Sequence, residues 1–258
     1  ATDILVAEDR VGERAARIAK GQLGTLLFGE NLDPYLEHAG SLWLLHWMLA
    51  AKPGRATVWH WAFNEFPEPS FDRELMRRRL QRRCDELGEI GRLGKDRTIS
   101  DITVRRDVEC LIRTYYAATG SARRAPEDTI ESPLAELGLI QKAGVGEIYR
   151  FRRGPKASLP DAVFMFALVD FWRTYFPGRR SFSVDFLTYE RGSPGKVFLL
   201  DEEAVAERLV RLDSLSKGSL RWDESSGMRQ LYAHRMDEID AWDVLRGMYR
   251  AEMCALSS

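Results

Sequence analysis

The stretch SFDRELMRRRLQRRCDEL at 70–87, followed after a glycine-rich loop by DITVRRDVECLIRTYYAA at 101–118, decides the fold. Ser70 is placed to cap a helix running to about Leu87. Phe71, Leu75 and Leu80 face inward there, and Arg77, Arg78, Arg79, Arg82 and Arg83 face mostly outward. Ser100 or Thr98 then starts a helix over Asp101–Ala118, with Ile102, Val104, Val108, Leu111, Ile112 and Tyr115 at helical spacing. The run Pro133–Ile140, a Gly144-Val-Gly146 turn and a strand-like Glu147–Phe151 follow. Helix, helix and two-stranded hairpin is the order of a winged helix-turn-helix, whose second helix enters the DNA groove. The predicted class is α+β, mostly helical, with winged helix-turn-helix-like units and short β-hairpins.

Reading outward, the pattern recurs. Asp161–Phe176 reads as an apolar core helix, Ser183–Tyr189 as a short helix and Val197–Leu200 as a strand. Asp201–Leu215 is a helix with three carboxylates at its start, which suit the positive end of the helix dipole and repel a phosphate backbone. Leu220–Trp222 and Met228–Tyr232 form a hairpin, and Glu238–Met253 closes the chain. On the N-terminal side, Gly21, Gly24 and Gly29 break any regular pattern. Ser41 reads as the cap of a helix over Leu42–Ala51, on which Trp43 and Trp47 share a face, and Ala56–Phe66 is a second apolar stretch. Three regions result: a helical N-terminal region (1–69), a basic winged-helix-like unit (70–152) and a C-terminal helical, winged-helix-like unit (153–258).

The 258 residues, 45% hydrophobic and 30% charged, have the composition of a globular protein with a sizeable core. No apolar run approaches the ~18 residues of a membrane span, and no signal peptide is evident, so the expected location is cytoplasmic. The chain starts at Ala1 without methionine, and its natural start is expected upstream. Cys84, Cys110 and Cys254 fit neither a disulfide framework nor a CxxC metal pattern and are expected as buried thiols. Of 38 basic residues, 31 are arginine, the side chain that grips phosphate and guanine with two parallel donors. Residues 73–124 hold fourteen Lys/Arg against eight Asp/Glu, whereas residues 201–258 hold eight against twelve. A basic middle on a chain of net charge −1 marks a localised polyanion-binding face.

Candidate DNA contacts are therefore Arg77, Arg78, Arg82, Arg105 and Arg106, joined by Arg152 and Arg153 beside the Gly154-Pro155 turn. Metal-assisted hydrolysis of DNA needs carboxylates on Mg²⁺ and a cation near the phosphate. Asp161, Asp223 and Glu224 are the candidate ligands and catalytic groups, with Lys156 as the cation; Asp107, Glu109 and Asp170 are reserves. No spacing among them is diagnostic, and each carboxylate taken singly also reads as a helix cap or an ion-pair partner. His46 and His60 read as core histidines rather than zinc ligands, and the tryptophans as core rather than a base-stacking platform. No P-loop, dinucleotide fingerprint, nucleophile elbow or zinc motif is present.

Several runs together carry a family resemblance: RRDV at 105–108 with RTY at 113–115, PLAELGLI at 133–140, GPKASLPD at 154–161, FW at 171–172, GSPG at 192–195 with VF at 197–198, and WDE at 222–224 leading to RQLY at 229–232. In order and number they resemble the SspB family, the DNA-nicking component of bacterial single-stranded DNA phosphorothioation systems, over roughly residues 32–250. The resemblance implies a Mg²⁺-dependent nicking endonuclease on double-stranded DNA in antiphage defence. Its implied partners are a cysteine desulfurase, an ATPase and a sulfur-inserting enzyme. Members usually begin with a further segment containing a Gly-His-Glu-Thr-Phe run, which is not found here. Neither resemblance nor spacing selects the metal ligands. Two other readings stand beside this one: a non-catalytic DNA-binding adaptor or regulator, and a scaffold that touches DNA weakly.

Overall fold

A computed structural model describes residues 5–8, 17–54, 56–89, 99–116, 131–144, 146–225 and 227–256. Strands β1 (Leu5–Glu8) and β2 (Arg17–Lys20) pair antiparallel. Helix α1 (Gln22–Gly24) runs on as a π-helical turn over Thr25–Gly29. Helix α2 (Ala39–Ala50) is buried on nearly every side, as its all-round apolar sequence requires. Its cap is not Ser41: the His38 ring accepts the Gly40 N–H at 2.8 Å. Ser41 lies inside the helix, its hydroxyl 2.5 Å from Asp33 Oδ2 and 2.7 Å from the Tyr249 hydroxyl. A polar residue before an apolar run resembles a cap in sequence whether its oxygen turns to its own helix or to a distant loop.

The first unit comprises α3 (Thr57–Asn64), β3 (Ser70–Phe71), α4 (Arg73–Glu89), α5 (Asp101–Tyr115), β4 (Ile140–Lys142) and β5 (Tyr149–Phe151). Its sheet order is β3-β5-β4, all antiparallel, with Ser70 opposite Arg150 and Ile140 opposite Phe151. Ser70 is thus strand rather than helix cap, and Asp72 Oδ1 accepts the Leu75 N–H at 2.6 Å instead. Ser100 caps α5 as expected, accepting the Thr103 N–H at 3.3 Å. The helix stops at Tyr115, three residues short of the expectation, with residues 117–130 outside those described. Thr98 and the glycine-rich loop also lie outside them.

The second unit repeats the order. It comprises α6 (Asp161–Tyr175), β6 (Ser181–Ser183), α7 (Val184–Tyr189), a one-turn α8 (Pro194–Val197), α9 (Glu202–Leu215), β7 (Leu220–Ser225) and β8 (Met228–Ala233), with sheet order β6-β8-β7. Each unit therefore places its first strand beside its last. The strand expected at Val197–Leu200 is absent: Val197 ends α8, Leu199 turns at φ +54°, and the Leu200 N–H returns to Gly195 O at 2.8 Å. A short apolar run is ambiguous between buried strand and buried turn. Gly195 decides it, since a Cβ there would sit 2.5 Å from Thr188 Cα, so only glycine lets α8 pack on α7. Helix α10 (Ala241–Leu256) is capped by Asp240, whose carboxylate accepts the Trp242 and Asp243 N–H groups at 3.0 Å each. It packs on α6.

One continuous core joins the units. Helix α6 buries ten of its fifteen residues, including Phe164, Phe171 and Trp172. Burying each large apolar side chain stabilises by about 2 kcal/mol, so this helix anchors the C-terminal half. His46 on α2 ties the halves together. One ring nitrogen is 2.7 Å from the Tyr115 hydroxyl at the end of α5, the other 2.8 Å from Val197 O on α8. Cys110 and Cys254 are exposed and Cys84 half-buried, which corrects the expectation of buried thiols. Among the described residues no helix is long and apolar enough to cross a membrane.

Candidate nucleic-acid interface

Helix α5 separates two faces. Val104, Val108, Leu111, Ile112 and Tyr115 are buried. Ile102, Arg105, Arg106, Glu109 and Arg113 are exposed at intervals of three and four, so they form one outward stripe. Ile102, expected inward, is 72% exposed because it falls on this stripe. Among the described residues, Arg105, Arg106 and Arg113 have no carboxylate within salt-bridge range.

The arginines of α4 differ. Arg77 pairs with Glu74 at 2.7 Å and with Asp101, Arg78 reaches Glu74 at 3.8 Å, and Arg82 meets Glu86 at 3.2 Å. Arg79 holds Glu68, and Arg83 meets Glu65 at 3.0 Å. Much of the positive charge read along α4 is thus locally neutralised, and the unpaired part falls on α5. Arg92, Lys95, Arg97, Arg123 and Arg124, which contributed to the basic segment, lie outside the described residues.

The Gly-Pro-Lys loop is built from within. Gly154 sits at φ +127°, where a side chain would be strained, and donates its N–H to Leu199 O at 2.9 Å. Lys156 is buried, and its ammonium donates to Arg152 O at 2.9 Å, Gly154 O at 2.8 Å and Leu199 O at 3.1 Å. Burial pushes its pKa down to about 8. All three N–H donors are engaged, so the expected contact from Lys156 to a phosphate is replaced by a bracing role. Arg152 and Arg153 remain exposed, with Arg153 donating to Leu200 O at 2.6 Å.

The candidate metal ligands are not brought together. Asp161 is the first residue of α6, but Pro160 holds the cap position. Asp161 Oδ1 accepts from Arg208 at 2.8 Å and Arg211 at 3.0 Å, and Oδ2 accepts from Arg211 at 2.5 Å. Asp223 and Glu224 lie in strand β7, not in a turn, opposite Gln230 and Arg229. As strand neighbours they point to opposite faces, and Glu224 pairs with Arg229 at 3.2 Å. Asp170 accepts from Trp47 at 2.9 Å and Lys52 at 2.8 Å. Among the described residues no group of three His, Cys, Asp or Glu side chains could hold a metal ion. Among the described residues Asp161, Asp223 and Glu224 are therefore not gathered into one three-carboxylate cluster. Sequence reading missed the Arg208–Asp161–Arg211 cluster. Spacing 208 and 211 one turn apart on α9 put both guanidiniums on one side, but nothing local named their partner fifty residues away.

A family model described as "Protein of unknown function (DUF4007)" matches residues 1–249. The chain belongs to the DUF4007 family. None of the curated proteins compared with it matches. Among solved structures, this DUF4007 chain is similar to a magnesium ion-bound SspB crystal structure, with a TM-score of 0.78 and 28% identity over 96% of this chain and 72% of that one. A second SspB crystal structure gives 0.77 and 28% over the same shares. The resemblance to SspB drawn from the sequence thus holds in three dimensions across nearly the whole chain.

Proposed function

We propose that this DUF4007 chain is a double-stranded-DNA-binding protein of a bacterial phosphorothioation system and acts in the cytoplasm. The outward stripe of α5 carries the proposal: three arginines with no carboxylate partner among the described residues, on the second long helix of a helix–strand–helix–helix–strand–strand unit. That order and the β3-β5-β4 sheet support reading residues 57–151 as a winged helix with α5 in the major groove. Arg105 and Arg106 then reach phosphates or guanine edges. Arg78, Arg82, Arg152 and Arg153 supply outer phosphate contacts, and Arg77 a weaker one because two carboxylates already hold it.

DNA nicking supported by Mg²⁺ is proposed from the likeness to SspB, one of whose crystal structures is magnesium ion-bound. Among the described residues Asp161, Asp223 and Glu224 are dispersed rather than gathered into one cluster. That dispersal favours the second reading, a DNA-binding adaptor without chemistry of its own. The acidic start of α9, with Glu203 exposed, suits contact with a partner of the system rather than with DNA. Supercoiled plasmid incubated with the protein, with and without Mg²⁺, separates the two. Relaxation only with Mg²⁺ establishes the nickase, and salt-dependent DNA binding without relaxation establishes the adaptor. Absence of salt-dependent binding removes both.

A further inference from the structure

Helix α5 carries two exposed side chains that a phosphate backbone cannot use. Ile102, the second residue of the helix, is 72% exposed, and Glu109 stands about two turns further along the same outward stripe. A branched aliphatic side chain offers a phosphate no hydrogen bond, and a carboxylate repels it. Nearby carboxylates of α4 and α5 pair locally: Glu74 and Asp101 with Arg77, and Glu86 with Arg82. Glu109 holds no arginine among the described residues, although Arg105 and Arg113 stand four residues to either side of it. That spacing lets side chains meet across one helical turn, so the pairing is open to Glu109 and is not made. With Arg73, Glu74, Arg77 and Arg105 it lines a groove of about 230 Å³ between α4 and α5. Arg73, on the α4 wall, is already engaged by Glu147.

We propose that α5 reads base sequence, with Ile102 against a thymine methyl group and Glu109 accepting from the exocyclic amine of a cytosine. The proposal rests on the reading of α5 as a major-groove helix. Both groups lie on the face that carries Arg105 and Arg106, and the first turns of such a helix are the part that meets base edges. The major groove presents the thymine C5-methyl to apolar side chains and the cytosine N4 amino group to carboxylates. Ile102 and Glu109 are separated along the helix axis by about 10 Å, the length of about three base-pair steps. On a face built for phosphates alone, the isoleucine is idle and the carboxylate subtracts from the pull of three arginines. At base edges each instead favours one base over the others.

Selection of sites by the full chain from a duplex library with a randomised centre tests it, followed by affinity measurements on the enriched duplex. The unmodified chain is expected to enrich a cytosine and, about three base pairs away, a thymine. Glu109→Gln is expected to exchange that cytosine for adenine, because an amide both donates to N7 and accepts from N6 of adenine. A correct base at each position is expected to give about tenfold tighter binding than a wrong one. Deoxyuridine in place of the thymine removes only the methyl group. It should weaken binding by the unmodified chain severalfold, whereas Ile102→Ser should bind the two duplexes equally. Both side chains are exposed, so the variants are expected to keep the fold, which unchanged circular dichroism verifies. Duplex binding without any enriched site overturns the proposal and leaves α5 as a phosphate-binding helix. An unchanged site in Glu109→Gln, or indifference of the unmodified chain to deoxyuridine, overturns it equally. A salt slope unchanged by Arg105→Ala with Arg106→Ala would instead take α5 off DNA, and with it the reading on which the proposal rests.

Discussion

Asp161 and His46 show how a side chain's partners set its role. Asp161 neutralises Arg208, a largely buried guanidinium that also donates to Leu159 O and Lys156 O at 2.8 and 2.7 Å. Asp161→Ala leaves that buried cation without its counter-charge and removes the pair with Arg211. Hydrogen bonds to charged groups are worth about 2 kcal/mol, and a loss of that size in chemical denaturation is the expected outcome. DNA affinity at fixed salt is expected to hold, because the α5 stripe is untouched. A stable Asp161→Ala protein that has lost all nicking would instead make Asp161 a ligand. His46 predicts a pH dependence. It is fully buried, and burial depresses its pKa to about 4. The unfolded chain takes up that proton near 6.5, so stability is complete above about pH 6.5 and falls as pH drops toward 4. The shift is equivalent to about 3 kcal/mol. His60 is depressed in the same direction by burial and adds to the slope. Denaturation midpoints between pH 7 and 4 should fall steeply for the unmodified chain and less steeply for His46→Gln.

At the scale of elements, α5 and α9 occupy equivalent places in their units and present opposite charge. Arg105→Ala with Arg106→Ala is expected to weaken duplex binding and reduce the salt slope by about two, since each lost phosphate contact releases about one counterion fewer. An unchanged slope of log affinity against log salt would take α5 out of the interface. On α9, Asp201 is the cap, its carboxylate accepting the Ala204 N–H at 2.9 Å. Replacing Asp201, Glu202 and Glu203 together by alanine should cost about 1 kcal/mol of stability through the lost cap. Duplex affinity should stay equal or rise slightly. A large loss of affinity in folded protein would show that this helix touches DNA.

For the molecule as a whole, the two units are repeats in element order but not in independence. The core runs without interruption from Leu23 to Tyr249. Trp43 packs edge-on against Phe198 at 5.5 Å, and His46 bonds to both Tyr115 and Val197. One cooperative unfolding transition, coincident by fluorescence and circular dichroism, is the expected outcome. A fragment ending at residue 152 should fail to fold, because α2 would lose the α6 and α8 surfaces it buries against. Two separated transitions would show that the units fold alone.

The sequence by itself determined the long helices, a start of α5 at Thr98 or Ser100, both hairpins, the charge contrast between α5 and α9, and the SspB likeness. These rest on periodicity, local capping chemistry and ordered runs of residues, all properties of neighbours along the chain. Tertiary structure alone decided the rest. It turned Val197–Leu200 from strand to buried turn because Gly195 lets two helix backbones touch. It drew Ser41 away from a cap toward Asp33 and Tyr249, and it engaged the Lys156 ammonium with three carbonyls. It also paired Asp161 with Arg208 and Arg211 and Glu224 with Arg229, and it left the arginines of α5 without a carboxylate among the described residues while those of α4 found carboxylates. Several of the deciding contacts join residues distant in sequence, such as Ser41 with Tyr249, Lys156 with Leu199 and Asp161 with Arg208. A carboxylate or ammonium has the same local signature whether its partner is a metal, a phosphate or another side chain, so only the folded chain distinguishes them.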